Sequence, residues 1–186
     1  MRPSGRVFTA RTHPGLLGLQ GGLDAEGQPT VDGVRWDRPA ALEAIRAVTE
    51  ADAELVYYDG AGPQRFDVLP ISVATDGGVE AVGVDRRRFR ANVYVSGAPG
   101  LAERHWVGRE LHLGDAVVGV RQVRGRCVMT TFDPDTLEQD ITVLQKIYWE
   151  LDGRTALDCY VLRPGVIRVG DRVEVGDYWT LAKAAG

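Results

Sequence analysis

The feature that most constrains this fold is a series of short β-prone runs that begins near Val68 and continues almost to the end of the chain. Turn signals rich in Pro, Gly and Asp separate the runs, at residues 76–78, 98–100, 133–134 and 164–165. The runs cover residues 71–74, 92–96, 116–123, 127–131, 159–162, 167–169 and 173–175. Many short strands with such punctuation predict a mainly β fold, a barrel or a sandwich, with a few helices.

Two segments have helical spacing instead. Leu42, Ile45 and Val48 predict an amphipathic helix over about residues 38–51, with Asp37 as its N-cap. A second helix is predicted where apolar side chains share one helical face, at Ile141, Leu144, Ile147 and Tyr148. These helices make the expected fold α+β, with the strands dominant.

The N-terminal third has weaker signals. Residues 6–10 and 54–58 are β-prone, residues 12–29 are typical of a loop or a broken strand, and residues 31–36 are typical of a short turn region. The glycine-rich stretch at residues 60–64 is a candidate boundary. It predicts a small β/α N-terminal part over residues 1–62 and a β-barrel over residues 63–186.

A short motif occurs twice in the second part. Leu111 to Asp115 reads LHLGD and Ile167 to Asp171 reads IRVGD, and each is followed by a further β-prone run. Both copies predict two strands joined at a Gly-Asp turn. Two distant copies indicate similar hairpins and not a solenoid.

Composition excludes several classes of function. The 186 residues are 44% hydrophobic and 26% charged with a net charge of −4, which is typical of a globular domain and makes nucleic acid an improbable partner. We see neither a signal peptide nor an apolar run long enough to cross a membrane, so a cytoplasmic location is expected. The two cysteines are too few for a disulfide framework, and the three histidines lack the spacing of zinc ligands.

The most unusual local composition is DRRRFRAN at residues 85–92. On a strand, Arg86, Arg88, Arg90 and Asn92 would share one face, because side chains alternate. Guanidinium groups and a carboxamide on one face suit a polyanionic ligand. A solvated edge strand that uses charge to prevent aggregation is the alternative explanation.

The second candidate feature is Cys127 in the run VRGRCVMTT. Arg124 and Arg126 precede it, and nearby positive charge favours the thiolate that a nucleophile or metal ligand requires. Gly125 allows a ligand to approach the backbone closely. The alternative is a small buried hydrophobe, which is also how we interpret Cys159.

These segments occur in an order that resembles the molybdenum-cofactor sulfurase C-terminal (MOSC) domain family. The similar motifs are RFRAN at residues 88–92, Trp106, LGD at 113–115, RC at 126–127, TTFDPDT at 130–136, Tyr160 and PGVIRVGD at 164–171. The branch most similar is that of the amidoxime-reducing component, with a shortened N-terminal region. FTARTHPGL at residues 8–16 resembles part of that branch's N-terminal region.

The resemblance implies a MOSC-type β-barrel that binds the molybdenum cofactor (molybdopterin), with Cys127 as the metal ligand and catalytic residue. Side chains expected to bind the cofactor are Arg88, Arg90, Asn92, Arg126 and Thr130. The implied activity is reduction of small N-hydroxylated substrates, with electrons from a separate electron-transfer protein. Pyridoxal phosphate is not expected.

The chain departs from the family pattern in three ways. Ala91 replaces a proline, Gly125 replaces a serine, and Val68 and Leu69 replace a pair of hydroxyl residues. Each lost charge-assisted hydrogen bond would weaken cofactor binding by about 1–3 kcal/mol. Two alternatives therefore stay open: a sulfur carrier that holds a persulfide on Cys127 and is served by a sulfurtransferase, and a non-catalytic module that binds an anion or pterin.

Overall fold

A computed structural model describes residues 7–57 and 67–180. The chain forms two compact units, the first from the described residues up to 57 together with Thr131–Asp140, the second from the remaining described residues. The expected division into residues 1–62 and 63–186 stays a prediction, since its boundary falls outside the described residues.

The first unit contains a small antiparallel sheet in the order β1-β2-β3. Its elements are a 3-10 helix at Pro14–Gly18, β1 (Gly21–Leu23), β2 (Pro29–Val31), β3 (Val34–Arg35) and α1 (Pro39–Ala47). The predicted first helix is confirmed but shorter. The N-cap prediction is wrong: the Asp37 carboxylate binds Arg35 at 2.6 Å, and Arg38 occupies the N-cap position.

The loop or broken strand expected at residues 12–29 contains the short strand β1 and a 3-10 helix. The turn expected at residues 31–36 needs correction, because these residues also include parts of the strands of the β2-β3 hairpin. The described parts of the β-prone runs, residues 7–10 and 54–57, form no strand.

The second unit is built on a six-stranded sheet in the order β5-β4-β8-β7-β6-β9. Its elements are β4 (Ile71–Thr75), α2 (Asp76–Val82), β5 (Val93–Val95), β6 (Arg109–Leu113), β7 (Ala116–Gly125), α3 (Ile141–Leu151), β8 (Arg154–Arg163) and β9 (Val173–Tyr178). Four 3-10 helices occur in the described chain, three of them here: Arg86–Phe89, Ala102–Trp106 and Val128–Thr131. The strands predicted at residues 71–74, 116–123, 159–162 and 173–175 are confirmed, as is the helix α3.

The sheet curls into a half-barrel. Its end strands β5 and β9 lie at opposite ends of the strand order, yet side chains of both line a single cleft. The expectation of a mainly β fold with a few helices is confirmed. The first Gly-Asp hairpin is confirmed as β6-β7, whereas the second is wrong, because residues 167–169 form no strand and β9 pairs with β6.

The helix α2 replaces a turn that the sequence predicts at residues 76–78. Thr75 caps the helix, and its side-chain oxygen accepts a hydrogen bond from the Gly78 amide at 2.9 Å. Gly77 is required by close packing, because a Cβ there would lie 2.1 Å from the carbonyl oxygen of Gly100. Glycines are therefore needed here because the start of α2 is tightly packed, and they do not mark a turn.

Two predicted strands near the candidate site are 3-10 helices instead. At residues 86–89, the Asp85 carboxylate accepts from the Arg87 amide at 2.8 Å, and Arg90 ends the turn with a φ of 51°. After β7 the chain turns again, since the Thr130 amide donates to the Cys127 carbonyl at 3.0 Å. Both segments form compact turns, so the alternating-face argument does not apply to them.

Two apolar clusters hold the second unit together. The larger covers one face of the half-barrel and consists of Val73, Val95, Leu111, Leu113, Val118, Val120, Leu157 and Cys159. The smaller lies among α2, α3 and the 3-10 helix that contains Phe89, and consists of Val82, Phe89, Val143, Ile147 and Leu151. Burial of Phe89, which is 2% exposed, fixes the arginine-rich turn against the helices.

Candidate functional site

The site begins at Arg126, which follows the end of β7. Its Nη2 donates to the carbonyl oxygen of Phe89 at 2.8 Å, and its Nε donates to the Thr130 hydroxyl at 3.3 Å. The guanidinium also lies over the Phe89 ring, 5.1 Å from the centroid. These contacts connect the two turns that the sequence singled out, and they hold the guanidinium plane in place.

The third nitrogen of this guanidinium, Nη1, is also buried. Among the described residues, it has no hydrogen-bond partner. Burial, followed by the charge of Arg124, lowers the pKa of Arg126 to about 10, while Cys127, Tyr94 and Asp158 act in the opposite direction. A buried N–H donor without an acceptor is costly. An anionic or oxygen-rich ligand would supply that acceptor.

Cys127 directly follows Arg126 in the chain, and its charge influences the Arg126 guanidinium. It is a free, partly exposed thiol on the segment between β7 and the 3-10 helix Val128–Thr131. Thr130 is 1% exposed and both donates its amide to the Cys127 carbonyl and accepts from Arg126. Cys127 is therefore partly exposed while its backbone is held in place, which suits a metal ligand or a nucleophile.

The other predicted basic residues do not share a strand face. Arg88 and Arg90 lie in and just after the 3-10 helix, and Arg90 adopts the left-handed conformation. Partial burial lowers the pKa of Arg90. Their binding of a cofactor phosphate stays a prediction.

Asn92 has a fixed orientation. The Asn92 Oδ1 accepts hydrogen bonds from the backbone N–H of Ser72 at 2.8 Å and from the Ser72 hydroxyl at 3.0 Å. The backbone N–H of Asn92 donates to the Ser72 carbonyl oxygen at 3.0 Å. Because a backbone N–H can bind only an acceptor, Oδ1 must face Ser72. The exposed side chain therefore offers its Nδ2 group, a donor, to any ligand.

A buried ion pair lies on the neighbouring strands. Asp158 on β8 is fully buried, pairs across the sheet with Ser72, and accepts from Arg124 Nη1 and from Gln122 at 3.0 Å. A bulge in β7 between Val120 and Gln122 places Gln122 and Arg124 on the Asp158 side of the sheet. Arg124 also reaches Asp67 at 3.2 Å.

The structure thus brings Arg126, Cys127 and Thr130 together. Asn92 is hydrogen-bonded to Ser72, which pairs across the sheet with Asp158, the partner of Arg124. Sequence reasoning missed Ser72, Gln122 and Asp158. A carboxylate in the apolar run ALDC at residues 156–159 was the available signal, because an acid on a buried strand requires a partner.

Residues 72–174 match the family model described as the MOSC domain, which is more than half of the chain and includes every site residue named above except Asp67. The chain belongs to the MOSC domain family. MOSC domains are generally associated with the molybdenum cofactor. No curated protein matches this MOSC chain closely enough to extend the comparison.

The side chains of this MOSC domain fit the donor requirements of such a cofactor. Arg126 Nη1 is a buried donor without an acceptor, Asn92 presents a second donor, and Cys127 presents a sulfur. Val68, 44% exposed, and Leu69 supply no hydroxyl groups, and the Ser72 hydroxyl is already engaged by Asn92. The set can hold an anion with fewer hydrogen bonds than the family pattern provides.

Two other findings concern the described residues. No group of three His, Cys, Asp or Glu side chains among them is placed to hold a metal ion. None of their helices combines the length and apolar character needed to cross a membrane.

Proposed function

We propose that this MOSC domain binds the molybdenum cofactor and reduces small N-hydroxylated substrates, with electrons from a separate electron-transfer protein. The observation that carries the proposal is the buried Nη1 of Arg126, a donor without an acceptor among the described residues, in the residue that directly precedes the partly exposed Cys127. The motifs shared with the amidoxime-reducing branch support the reaction class.

Each side chain has a stated role in this proposal. The Cys127 sulfur would bind the metal as a thiolate, and the Arg126 and Asn92 N–H groups would bind the anionic part of the cofactor. Thr130 would hold Arg126 and the Cys127 backbone in position. When bound, the cofactor supplies a metal centre that takes an oxygen atom from the substrate. Arg88 and Arg90 would add positive charge near the phosphate.

Metal analysis of the purified full chain tests the proposal. Protein made in a host that produces the cofactor should contain close to stoichiometric molybdenum, and Cys127→Ser should lose most of it. Cys159→Ala is the matched control, because that thiol is fully buried in the core and should not affect metal content. Arg126→Gln should lower the molybdenum content while leaving the thiol in place.

One outcome of the metal analysis would contradict cofactor binding. If molybdenum is near zero in the parent chain and unchanged by Cys127→Ser, the cofactor assignment is wrong. If molybdenum is present, activity with an artificial electron donor and an N-hydroxylated substrate distinguishes a reductase from a cofactor-binding protein that lacks activity.

A second candidate is a sulfur carrier. Its support is that a persulfide on Cys127 would need only the thiol and a nearby donor such as Arg126 Nη1, and it would not require the hydroxyl groups that Val68 and Leu69 lack. A mass gain of one sulfur atom on the Cys127 peptide, removed by a reductant, would support it. A bare thiol after incubation with an active sulfurtransferase would contradict it.

A further inference from the structure

Tyr94 packs beside the arginine-rich turn of residues 86–91. It lies in the middle of β5 and pairs with Ala74 of β4. Its neighbours Val93 and Val95 pack on the half-barrel core, whereas the Tyr94 ring packs on the smaller cluster that contains Phe89. Because side chains alternate along a strand, Tyr94 is the side chain of β5 that faces this turn.

The Tyr94 hydroxyl bonds to both ends of the turn. It donates to the carbonyl oxygen of Arg86 at 2.7 Å, and it accepts from the backbone N–H of Ala91 at 3.2 Å. The Arg86 guanidinium also lies over the Tyr94 ring, 5.3 Å from its centroid. One hydroxyl therefore joins the first and last residues of this short segment and holds the turn closed.

The turn also depends on a left-handed residue directly before Ala91. Arg90 has a φ of 51° and a ψ of 39°, a conformation that is unfavourable for a residue with a side chain. Proline, the residue of the family pattern at position 91, has no N–H to donate to Tyr94 and shifts the preceding residue towards an extended conformation. Alanine is compatible with both features of this turn, whereas proline would remove the first and disfavour the second.

The middle of the turn holds Arg126. The carbonyl oxygen of Phe89 accepts from Arg126 Nη2 at 2.8 Å, a shorter bond than the one between Arg126 Nε and Thr130 at 3.3 Å. A guanidinium is planar and rigid, so these two bonds also set the direction of the buried Nη1. If the ends of the turn separated, the Phe89 carbonyl would move and Nη1 would lose its fixed direction.

Tyr94 lies within electrostatic range of the same guanidinium groups. Burial lowers the pKa of Arg90 and of Arg126, and Tyr94 acts in the opposite direction on both. The Tyr94 ring shares an apolar cluster with Phe89, so a phenylalanine at position 94 would keep that packing. The Tyr94→Phe change therefore removes the two hydrogen bonds of the hydroxyl and little else.

We propose that Tyr94 is a positioning residue of the cofactor site, whose hydroxyl holds the arginine-rich turn closed so that Phe89 can hold Arg126. Tyr94 acts through these two residues and not by contact with the ligand. Its importance for the cofactor rests on the function proposed above, whereas its effect on the Arg126 guanidinium does not.

Solvent exchange of the Arg126 side chain tests the first step without any ligand. The NMR signal of the Arg126 Nε–H group, identified by its loss in Arg126→Lys, should exchange about three- to tenfold faster in Tyr94→Phe than in the parent chain. The matched control is Tyr178→Phe, which removes a hydroxyl from a 73%-exposed tyrosine on β9 and should leave the rate unchanged. An unchanged rate in a folded Tyr94→Phe chain, as judged by circular dichroism, overturns the proposal.

Ala91→Pro breaks the same contact from the other side. It removes the N–H that Tyr94 accepts from and disfavours the left-handed conformation of Arg90. The Arg126 Nε–H group should therefore exchange at least as fast as it does in Tyr94→Phe. Exchange like that of the parent would show that the turn does not need this bond, and the proposal would be wrong.

Release of molybdenum tests the second step. Tyr94→Phe made in a cofactor-producing host should lose its molybdenum on dialysis about three- to tenfold faster than the parent chain or Tyr178→Phe. Release at the rate of the parent chain would overturn the role of Tyr94 at the cofactor. If the parent chain contains no molybdenum, the function proposed above fails, and the exchange measurement alone decides whether Tyr94 positions Arg126.

Discussion

The two thiols of the chain lie in opposite surroundings. Cys127 is partly exposed beside Arg126, whereas Cys159 is fully buried in the half-barrel core. Burial, and then the charge of Asp158, raises the pKa of Cys159 to about 12. Because alkylation requires both access and a thiolate, iodoacetamide should label Cys127 and spare Cys159 in the folded chain. Mass spectrometry of the peptides measures this, and equal labelling of both sites would contradict it.

The raised pKa of Cys159 also predicts a dependence of stability on pH. The thiol form is favoured in the folded chain, so the contribution is fully present below pH 9 and is lost as the pH rises towards 12. The free energy of unfolding should fall by about 1.4 kcal/mol per pH unit across this window.

The control for this prediction is Cys159→Ala, measured by urea unfolding beside the parent chain. All other ionisable groups are common to both proteins, so the difference between the two isolates the cysteine. Parallel curves from pH 9 to 12 would show that Cys159 does not carry this dependence.

At the residue scale, the sequence predicted what depends on neighbours along the chain and missed what depends on distant contacts. Arg126 and Cys127 could be singled out because they are adjacent and unusual in composition. The partner of Asp158 could not, since Arg124 lies 34 positions away and faces it only because of a bulge in β7. The roles of Arg88 and Arg90 were inferred from alternation, which a 3-10 turn does not have.

At the scale of elements, the Asp158–Arg124 pair connects β8 to β7. Asp158 is fully buried and the Arg124 side chain is 17% exposed, so removing the Asp158 charge leaves the largely buried guanidinium with only the more exposed Asp67 carboxylate as its counter-charge. Asp158→Asn should therefore lower the free energy of unfolding by about 3–5 kcal/mol. Urea unfolding of the parent and the variant measures the change.

Two further variants test whether the Asp158–Arg124 pair is responsible for this change in stability. Asp67→Asn removes the other partner of Arg124, a 36%-exposed carboxylate at 3.2 Å, and should cost no more than about 1 kcal/mol. The double variant Asp158→Asn with Arg124→Gln should cost less than the sum of its single changes, because both charges are removed. Strict additivity would show that the two side chains do not interact.

Long elements were easier to predict than short ones. The strands β7 and β8 and the helices α1 and α3 carry enough residues for their periodicity to be visible. The helix α2 was missed because its Gly-Gly start is typical of turns, and its need for glycine comes from Gly100, more than twenty positions later. The arginine-rich turn was missed because Phe89 is held by α2 and α3, contacts that no local pattern reveals.

At the scale of the whole molecule, the fold class followed from strand spacing, whereas the curl of the sheet into a half-barrel did not. Strand order and curl arise from pairings such as β4 with β8, whose residues are more than eighty positions apart. The net charge is likewise a poor guide to the local charge at the site. A net charge of −4 predicts a chain that repels polyanions, yet Arg124 and Arg126 lie close enough to influence each other at one site. A site of this kind must therefore recognise its anion through local, partly buried donors, where screening by salt is weak.

That argument leads to a prediction for the stability of the whole chain. A ligand that binds only the folded state stabilises it by about 2.7 kcal/mol when present at a hundredfold excess over its Kd. For a chain of this size, that corresponds to a rise in Tm of roughly 5–11 °C. Chain purified from a cofactor-producing host should therefore unfold at a higher temperature than chain from a host unable to make the cofactor. Calorimetry of both preparations measures the difference, and Cys127→Ser should abolish it. Identical melting of the two parent preparations would count against cofactor binding, whatever the metal content of the sample.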